Sequence, residues 1–321
     1  MSRKLRVAVV GTGFWGKNHA RVYTELEETE LVAVCDVNPE RAKTIAAKFG
    51  AKPYTQSSKM YKKEEIDAVS ICTWSTKLSA EATRALKAGK HVLVEKPMAT
   101  TTRQAQKMVS LAEKNELNLM VGFLMRFIPG IQHMKKAIEK REIGNLVCAT
   151  ARRVSAWPER IGDVGVVKDI GIHDIDIMRY LFAQDPVAVY AKAGRMKHTK
   201  FEDYAQIMLA FPEGKTAFIE VNWLTPYKIR RLIVTGSEAI MTLDYITQEL
   251  VIDDAEKSVK PRYPWKEPLK EELQSFARSV IKGEEPAITA VDGLKALRIA
   301  EAALKSAEKG TVIKLKEFNI C

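Results

Sequence analysis

The chain opens on an apolar run that ends in three closely spaced glycines. The run extends from Leu5 to Val10, and Gly11, Gly13 and Gly16 follow in the order Gly-Thr-Gly-Phe-Trp-Gly. The first glycine permits a tight turn out of a strand, the second lets the backbone approach a pyrophosphate, and the third lets a helix pack closely on the sheet. The amides of that helix then face the phosphates. The pattern favours a dinucleotide-binding turn over a glycine-rich turn of an unrelated α/β fold.

An acidic residue completes this motif. Asp36 lies twenty residues beyond Gly16 and follows a second apolar run. A carboxylate in this place accepts hydrogen bonds from the adenosine ribose hydroxyls and repels a 2′-phosphate. The next residue is Val37, and no arginine is adjacent. We therefore expect the cofactor to be NAD rather than NADP.

Strand and helix signals alternate over the first 122 residues. The apolar strand signals are Leu5–Val10, Leu31–Cys35, Ala68–Cys72, His91–Val94 and Leu119–Val121, separated by helical patterns at Asn18–Leu26, Glu40–Lys48, Ala80–Ala88 and Arg103–Lys114. Such alternation predicts a doubly wound parallel sheet with helices on both faces. Residues 1–122 are therefore expected to form an NAD-binding Rossmann domain.

After about residue 140, longer strand-like runs of alternating apolar and polar residues replace this alternation of strands and helices. They are Leu146–Val154, Val187–Ala193, Tyr204–Phe211, Thr216–Trp223, Ile229–Thr235 and Ile240–Leu243. The segment Phe211–Lys215 predicts a hairpin between two of them. Helical patterns cover 168–182, 268–282 and 289–308. Residues 123–321 are expected to form an α+β domain, with a large, open, mostly antiparallel sheet, for substrate binding and oligomerisation.

Composition narrows the classes of function. The chain is 46% hydrophobic and 28% charged, and no stretch of it is typical of a signal peptide or a membrane span, so we expect a cytoplasmic protein. The net charge of +11 comes from lysines and arginines spread along the chain, which argues against nucleic acid. A basic cleft could still attract anionic small molecules. The cysteines at positions 35, 72, 148 and 321 show no metal-ligand spacing and are expected to be reduced thiols.

Two further segments carry side chains that can move a proton. Lys96 follows the apolar run that ends at Val94, so it stands at the carboxyl end of a parallel strand, where ligands bind in such sheets. Asp169 and His173 are four residues apart on a predicted helix, so the carboxylate can orient the imidazole. A solvated lysine, a helix-capping carboxylate and a core histidine are the structural alternatives. Asp176 on the same face raises a metal site, but no further His or Cys is nearby, and we expect none.

Together these residues resemble the glucose-fructose oxidoreductase and inositol dehydrogenase (Gfo/Idh/MocA) family. The resemblance covers nearly the whole chain and rests on the glycine motif with His19, on Glu95-Lys96-Pro97, on Arg126-Phe127 with Pro129, and on the segment from Asp169 to Asp176. It implies that Lys96 and His173 work at a substrate hydroxyl with Asp169 supporting them. It also implies homodimers or homotetramers formed through the second sheet. The cofactor contacts expected from the motifs and the resemblance are Gly11, Gly13, Phe14, Trp15, Gly16, Asp36, Thr73, Trp74, Glu95 and Lys96.

One loop departs from the family pattern. Relatives carry Thr-Pro-Asn after the strand that ends at Cys72 and then a histidine, whereas this chain has Trp74 in place of the proline and Leu78 in place of the histidine. The loop borders the nicotinamide half of the cofactor in the family, so the two replacements change the side chains available for that contact here. The departure leaves room for a relative that binds NAD as a signal without turnover, although the presence of both Lys96 and His173 argues for an enzyme.

The resemblance also bears on the substrate. The segments Gly16–Tyr23, Gly165–Leu181 and Glu220–Pro226 look most similar to nucleotide-sugar dehydrogenases that act on UDP-N-acetylglucosamine. The expected reaction is oxidation of a secondary alcohol of a sugar to a ketone, with the 3-hydroxyl of that nucleotide sugar as the specific expectation. Inositol and free sugars are the alternative substrates. Arg160, Lys228 and Arg230 are candidates to meet a diphosphate, and for each of them surface charge is the alternative.

Overall fold

The structure is a computed structural model that describes residues 3–158 and 162–318. The chain forms two compact units. The nucleotide-binding unit comprises the chain up to Leu124 together with Leu269–Lys295, and the sheet unit comprises Met125–Pro268 together with the chain from Ala296 onward. Within the described residues, no helix combines the length and the apolar character that a membrane span requires.

The elements alternate regularly at first and become mostly strands later. In chain order the first part contains β1 (Leu5–Val10), α1 (Phe14–Glu25), β2 (Thr29–Cys35), α2 (Pro39–Phe49), β3 (Lys52–Tyr54), α3 (Ser57–Lys63), β4 (Ala68–Ile71), α4 (Ser75–Lys87), β5 (His91–Glu95), α5 (Thr102–Lys114) and β6 (Leu119–Gly122). The rest contains α6 (Pro129–Glu139), β7 (Leu146–Val154), α7 (Ile172–Phe182), β8 (Ala188–Gly194), β9 (Tyr204–Ala210), β10 (Thr216–Asn222), β11 (Ile229–Gly236), β12 (Ala239–Asp244), β13 (Glu249–Asp254), β14 (Ser258–Val259), α8 (Pro268–Lys282), α9 (Ala290–Lys309) and β15 (Ile313–Lys314). Short helical turns cover Leu124–Phe127, Val167–Gly171 and Pro212–Gly214.

The nucleotide-binding unit contains a six-stranded sheet in the order β3-β2-β1-β4-β5-β6. All of its neighbouring strands are parallel. Its central strands are apolar and nearly completely buried, as expected when helices cover both faces of a sheet. The strand order reverses between β1 and β4, and ligands of such sheets bind beyond the carboxyl ends of the strands at this point. The predicted Rossmann fold is confirmed.

The sequence prediction differs from the structure in two places in this unit. The edge strand β3 was not predicted, because two of its three residues are exposed and it lacks an apolar run. Residues 269–295 were assigned to the second domain, whereas they belong to the nucleotide-binding unit. Helix α8 buries Leu269, Leu273 and Phe276, because its apolar stripe must be covered, and this unit supplies the cover.

The sheet unit contains a nine-stranded sheet in the order β14-β13-β12-β11-β7-β10-β9-β8-β15. The pair β7 and β10 is parallel, and the other pairs are antiparallel. The predicted hairpin joins β9 to β10, with the Phe211 amide donating to the Lys215 carbonyl over 2.8 Å. The predicted mostly antiparallel sheet is confirmed.

The two faces of this sheet differ in character. One face is buried, with Ile207, Ile219, Ala151 and Leu232 as adjacent members. Helix α7 packs on β7 and β10. Strand alternation therefore separates a core face from an opposite face that stays partly open to solvent.

Candidate active site

The glycine turn after β1 is shaped by close backbone contacts. Gly11 has a φ of +86°, which residues with a Cβ rarely adopt. A Cβ on Gly16 would lie 1.7 Å from the Gly11 carbonyl oxygen, so only glycine lets α1 approach the turn this closely. Gly13 is the N-cap of α1 and makes no side-chain cap, so the first-turn amides depend on another acceptor. The turn fits a pyrophosphate for these reasons. Phe14 and Trp15, also predicted as cofactor contacts, are exposed and half-buried respectively.

Asp36 is buried beside this turn. Its Oδ2 accepts the Thr12 amide over 2.8 Å and the Thr12 hydroxyl over 3.1 Å, while Oδ1 accepts the Asn38 amide over 2.9 Å. A carboxylate at the end of β2 is the acceptor that ribose hydroxyls require, so this residue too fits NAD.

An arginine does approach Asp36, although none is adjacent in sequence. Arg41 Nε lies 3.6 Å from Asp36 Oδ1. Its Nη1 would lie 3.8 Å from a Cβ placed on Gly13. Arg41 approaches the acid because the first turn of α2 brings a residue five positions later back to the carboxylate.

The loop after β4 contains the departures from the family pattern. Trp74 is the N-cap residue of α4 and its side chain is 50% exposed. The Thr73 hydroxyl donates to the Trp74 carbonyl over 3.4 Å. Leu78 is only 1% exposed and belongs to the core. The leucine therefore packs in the interior, whereas the tryptophan ring presents a surface on which a flat group could stack.

Lys96 follows β5, as predicted, and is half-buried. The bond from Lys96 to Pro97 is cis. The preceding Glu95 is buried, with Oε2 accepting the Lys96 amide over 3.2 Å and Oε1 lying 3.1 Å from His19 Nε2. The carboxylate of Glu95, predicted as a cofactor contact, thus has partners within the protein on both oxygens, and it holds the backbone of the lysine.

Asp169 and His173 lie in the sheet unit. Asp169 is within a π-helical turn at Val167–Gly171, and His173 is in the first turn of α7. The continuous helix predicted over 168–182 is therefore wound differently at its start, and Asp169 does not cap α7. Asp169 is half-buried and the side chain of His173 is buried.

The two other acids of this helix are held by arginines. Asp174 binds Arg153 through two hydrogen bonds of 2.7 and 2.9 Å, and both side chains are nearly completely buried. Asp176 accepts Arg126 Nε over 2.8 Å and lies 3.9 Å from Arg179. Arg126 is thus the partner of Asp176, the acid that suggested a metal site in the sequence. No cluster of metal-ligating side chains occurs in the described part of the chain.

Of the predicted anion-binding side chains, Arg230 and Lys228 lie on and before β11. Arg230 pairs in register with Arg153. Burial and the neighbouring Arg153 lower the pKa of Arg230 to about 10, although Asp174 and Asp169 oppose the shift. Arg230 in turn, followed by burial, lowers the pKa of Lys228. Arg230 is half-buried and therefore differs from an ordinary surface charge, whereas Lys228 is exposed. Arg160, the third candidate, lies outside the described residues.

The three cysteines within the described residues are buried or half-buried thiols. Burial raises the pKa of Cys35 to about 12 and that of Cys72 well above its usual value. Cys35, Cys72 and Cys148 are free, and Cys321 lies outside the described residues. Thiols with raised pKa values are poor nucleophiles at neutral pH, so Cys35 and Cys72 are not candidates for catalysis.

The geometry of the nucleotide-binding unit defines a dinucleotide-binding Rossmann domain, and comparison with known proteins extends this. Residues 5–123 match the model of the oxidoreductase family with an NAD-binding Rossmann fold, and residues 131–242 match the Gfo/Idh/MocA C-terminal domain. The chain therefore belongs to the Gfo/Idh/MocA family. It is an NAD-dependent oxidoreductase that acts on CH–OH groups, and the predicted family and cofactor are confirmed.

Several characterised relatives match over nearly their full length. Inositol 2-dehydrogenase of Rhizobium meliloti is 31% identical, over 95% of this chain and 98% of the relative. Myo-inositol 2-dehydrogenase of Thermotoga maritima is 28% identical, over 98% and 99%. The crystal structure of UDP-N-acetylglucosamine 3-dehydrogenase from Acidithiobacillus ferrooxidans is 26% identical, covers 96% of this chain and 99% of that chain, and superposes with a TM-score of 0.89.

Proposed function

We propose that the protein oxidises a secondary alcohol of a sugar to a ketone, with the 3-hydroxyl of UDP-N-acetylglucosamine as the substrate group. The observation that carries the choice of a nucleotide sugar is the half-buried Arg230 of the sheet unit, with a second cation, the exposed Lys228, two residues before it. The match to UDP-N-acetylglucosamine 3-dehydrogenase supports it.

The proposed chemistry assigns a role to each predicted side chain. NAD, when bound, accepts the hydride from the carbinol carbon. Lys96, half-buried at the end of β5, hydrogen-bonds the substrate hydroxyl and lowers the cost of removing its proton. His173 takes or relays that proton, and Asp169 supports the imidazole. Gly11, Gly13 and Gly16 hold the pyrophosphate and Asp36 holds the adenosine ribose.

The cation cluster suits a diphosphate for a physical reason. Among the described residues, the Arg230 guanidinium has no ion pair within 4.0 Å, and its interactions with Asp174 and Asp169 are longer-range. Arg153 is already paired with Asp174. Positive charge on Arg230 and Lys228 is thus incompletely neutralised, and a bound anion relieves both the repulsion and the desolvation. Arg160 remains a candidate third contact.

Inositol is the second candidate substrate, because the relatives from Rhizobium meliloti and Thermotoga maritima are inositol dehydrogenases. The two substrates differ in charge, so one experiment separates them. Reduction of NAD is followed by absorbance at 340 nm with UDP-N-acetylglucosamine, N-acetylglucosamine, myo-inositol and glucose as substrates. We expect turnover of the UDP-sugar, with KM rising as salt increases. Turnover of myo-inositol or glucose without a response to UDP-sugars contradicts the nucleotide-sugar assignment.

The variant Arg230→Met tests the anion contact. Charge-assisted hydrogen bonds contribute about 1.5–3 kcal/mol, so KM for the UDP-sugar is expected to rise about 10- to 150-fold. Arg231→Met is the matched control, because Arg231 is exposed and adjacent strand positions face opposite sides of the sheet. Equal effects of the two substitutions contradict a specific role for Arg230.

We also propose that a second copy of the chain covers the open face of the nine-stranded sheet. Tyr190, Met208, Phe218 and Ile233 lie on that face, and Met208 is 49% exposed in its centre. Light scattering during size-exclusion chromatography is expected to give the molar mass of a dimer or a tetramer. Met208→Glu is expected to shift the mass toward the monomer, and an unchanged mass contradicts this interface.

A further inference from the structure

A second group of ionisable side chains lies inside the nucleotide-binding unit. His19 is on α1, Glu95 ends β5 and Glu272 is on α8. Their side chains are 0%, 5% and 0% exposed, respectively. Buried carboxylates and imidazoles are rare unless they have partners or a function, so the contacts of each require an explanation.

Glu95 is the centre of the group. Through Oε1 it contacts His19, three residues beyond the last glycine of the turn, and through Oε2 it accepts the amide of Lys96. One carboxylate therefore ties the helix that follows the glycine turn to the backbone of the proposed catalytic lysine. A change in the charge around Glu95 acts directly on that backbone.

Glu272 differs from Glu95 in having no such contacts. Neither of its carboxyl oxygens has a hydrogen-bond partner among the described residues. Burial, followed by the charge of Glu95, raises the pKa of Glu272 well above its usual value. Tyr23 on α1 and Cys72 after β4 are further titratable groups that interact with it. Burial is the first cause of a raised pKa for each of these, so both are neutral, and none of these groups is a cation.

An ionised Glu272 would place a second carboxylate in this buried region, and unlike Glu95 it would have no hydrogen-bond partner among the described residues. The two negative charges would repel each other, and Glu95 would be driven from the Lys96 amide. The protonated acid avoids both costs. Burial and the lack of a hydrogen-bond partner among the described residues therefore favour the neutral form of Glu272.

We propose that Glu272 is a positioning residue that acts through Glu95, and that it is held as a neutral carboxylic acid so that Glu95 can keep the Lys96 backbone in place. The proposal rests on the proposed role of Lys96 for its catalytic consequence. The neutral state of Glu272 does not depend on that role and can be measured on its own.

The first test is the thermal stability of the protein without NAD, measured between pH 5 and pH 10. Above a pH of about 4.3 an unfolded glutamate is ionised, whereas the folded protein keeps Glu272 protonated. The stabilisation is thus complete below the unfolded pKa and is lost as the pH rises toward the folded pKa. Glu272→Gln, which is neutral at every pH, lacks this loss.

The expected result is a Tm difference, Glu272→Gln minus wild type, that increases with pH by roughly 2–4 °C per unit. Glu271→Gln, on the same helix but half-buried, is the matched control and is expected to give a difference that changes little with pH. Glu272→Met, neutral and of similar size, should repeat the trend if the glutamine variant folds poorly. A Tm difference from the wild type that does not change with pH in either Glu272 variant overturns the proposal that Glu272 is neutral.

The second test is the pH profile of kcat. Glu272→Gln is expected to match the wild type within about threefold at pH 7, because both carry a neutral group. The ratio of variant to wild-type kcat should then rise about tenfold per pH unit above the folded pKa of Glu272. A ratio that remains at one above the pH at which the Tm difference stops increasing overturns the positioning role. If no sugar is turned over, the Tm series still decides the state of Glu272, so failure of the two proposals can be distinguished.

Discussion

Discrimination between NAD and NADP gives the sharpest test of the nucleotide-binding unit. The perturbation is Asp36→Asn, which keeps the size of the side chain but removes its charge and one acceptor. Asp36 Oδ2 now accepts two hydrogen bonds from Thr12 and Oδ1 accepts one from Asn38. An asparagine side chain has one acceptor oxygen and one NH2 group. Whichever oxygen of Asp36 the NH2 group replaces, at least one internal hydrogen bond is lost, in addition to a ribose contact.

The magnitude follows from these contacts. A hydrogen bond to a charged group contributes about 1.5–3 kcal/mol, so the Kd for NAD is expected to rise about 10- to 150-fold. NADP should gain relative to NAD, because the repulsion of its 2′-phosphate disappears while Arg41 remains near Gly13. Arg41→Ala should act in the opposite direction and weaken NADP by about fivefold more than NAD. That effect is modest because Arg41 is 48% exposed and solvent screens its charge.

Calorimetric titration of both cofactors into each variant is the assay. Glu40→Gln, an exposed acid on the same helix as Arg41, is the control and should leave both Kd values unchanged. An unchanged NAD to NADP ratio in Asp36→Asn would refute the assignment of the acid to the ribose. Equal weakening of both cofactors by Arg41→Ala would show that the arginine does not sense the 2′-phosphate.

Three further outcomes follow from the structure. Lys96→Ala should lose most turnover while keeping its affinity for NAD, and His173→Ala should lose about a hundredfold or more in kcat. Wild-type activity in either variant would show that the residue has only a structural role. Gly16→Ala should lower the urea midpoint and abolish NAD binding, because its Cβ would lie 1.7 Å from the Gly11 carbonyl oxygen. Asp174→Asn should lose about 3–5 kcal/mol of unfolding free energy, because it leaves a buried guanidinium without its carboxylate; a urea melt that loses less than 1 kcal/mol would contradict this.

Much of the fold could be predicted from local patterns. The central strands of the first sheet are continuous apolar runs, whereas apolar and polar residues alternate in the strands of the second sheet. Each segment therefore indicates whether its strand is buried on two faces or on one. The exposed edge strand β3 lacks such a run and escaped prediction. The amphipathic pattern of α8 predicted a helix over 268–282, but periodicity states only that one side must be covered. Which sheet covers it was decided by tertiary packing.

The same division holds for the candidate site. The glycine turn, Asp36 and Lys96 were found from sequence because their roles require particular residue types at fixed distances from a strand end. Arg41 was missed because a helical turn, rather than adjacency, brings it to Asp36.

The partners of the buried acids were also decided by the fold. His19, Glu95 and Glu272 come from three separate elements, and Arg153 reaches Asp174 from a neighbouring strand. No local pattern encodes these pairings, because a buried charge is stabilised by whichever group the packed elements place beside it. The sequence by itself determined which elements form and which motif binds the dinucleotide; the tertiary structure alone decided which ionisable groups meet in the interior, and therefore which of them carry charge.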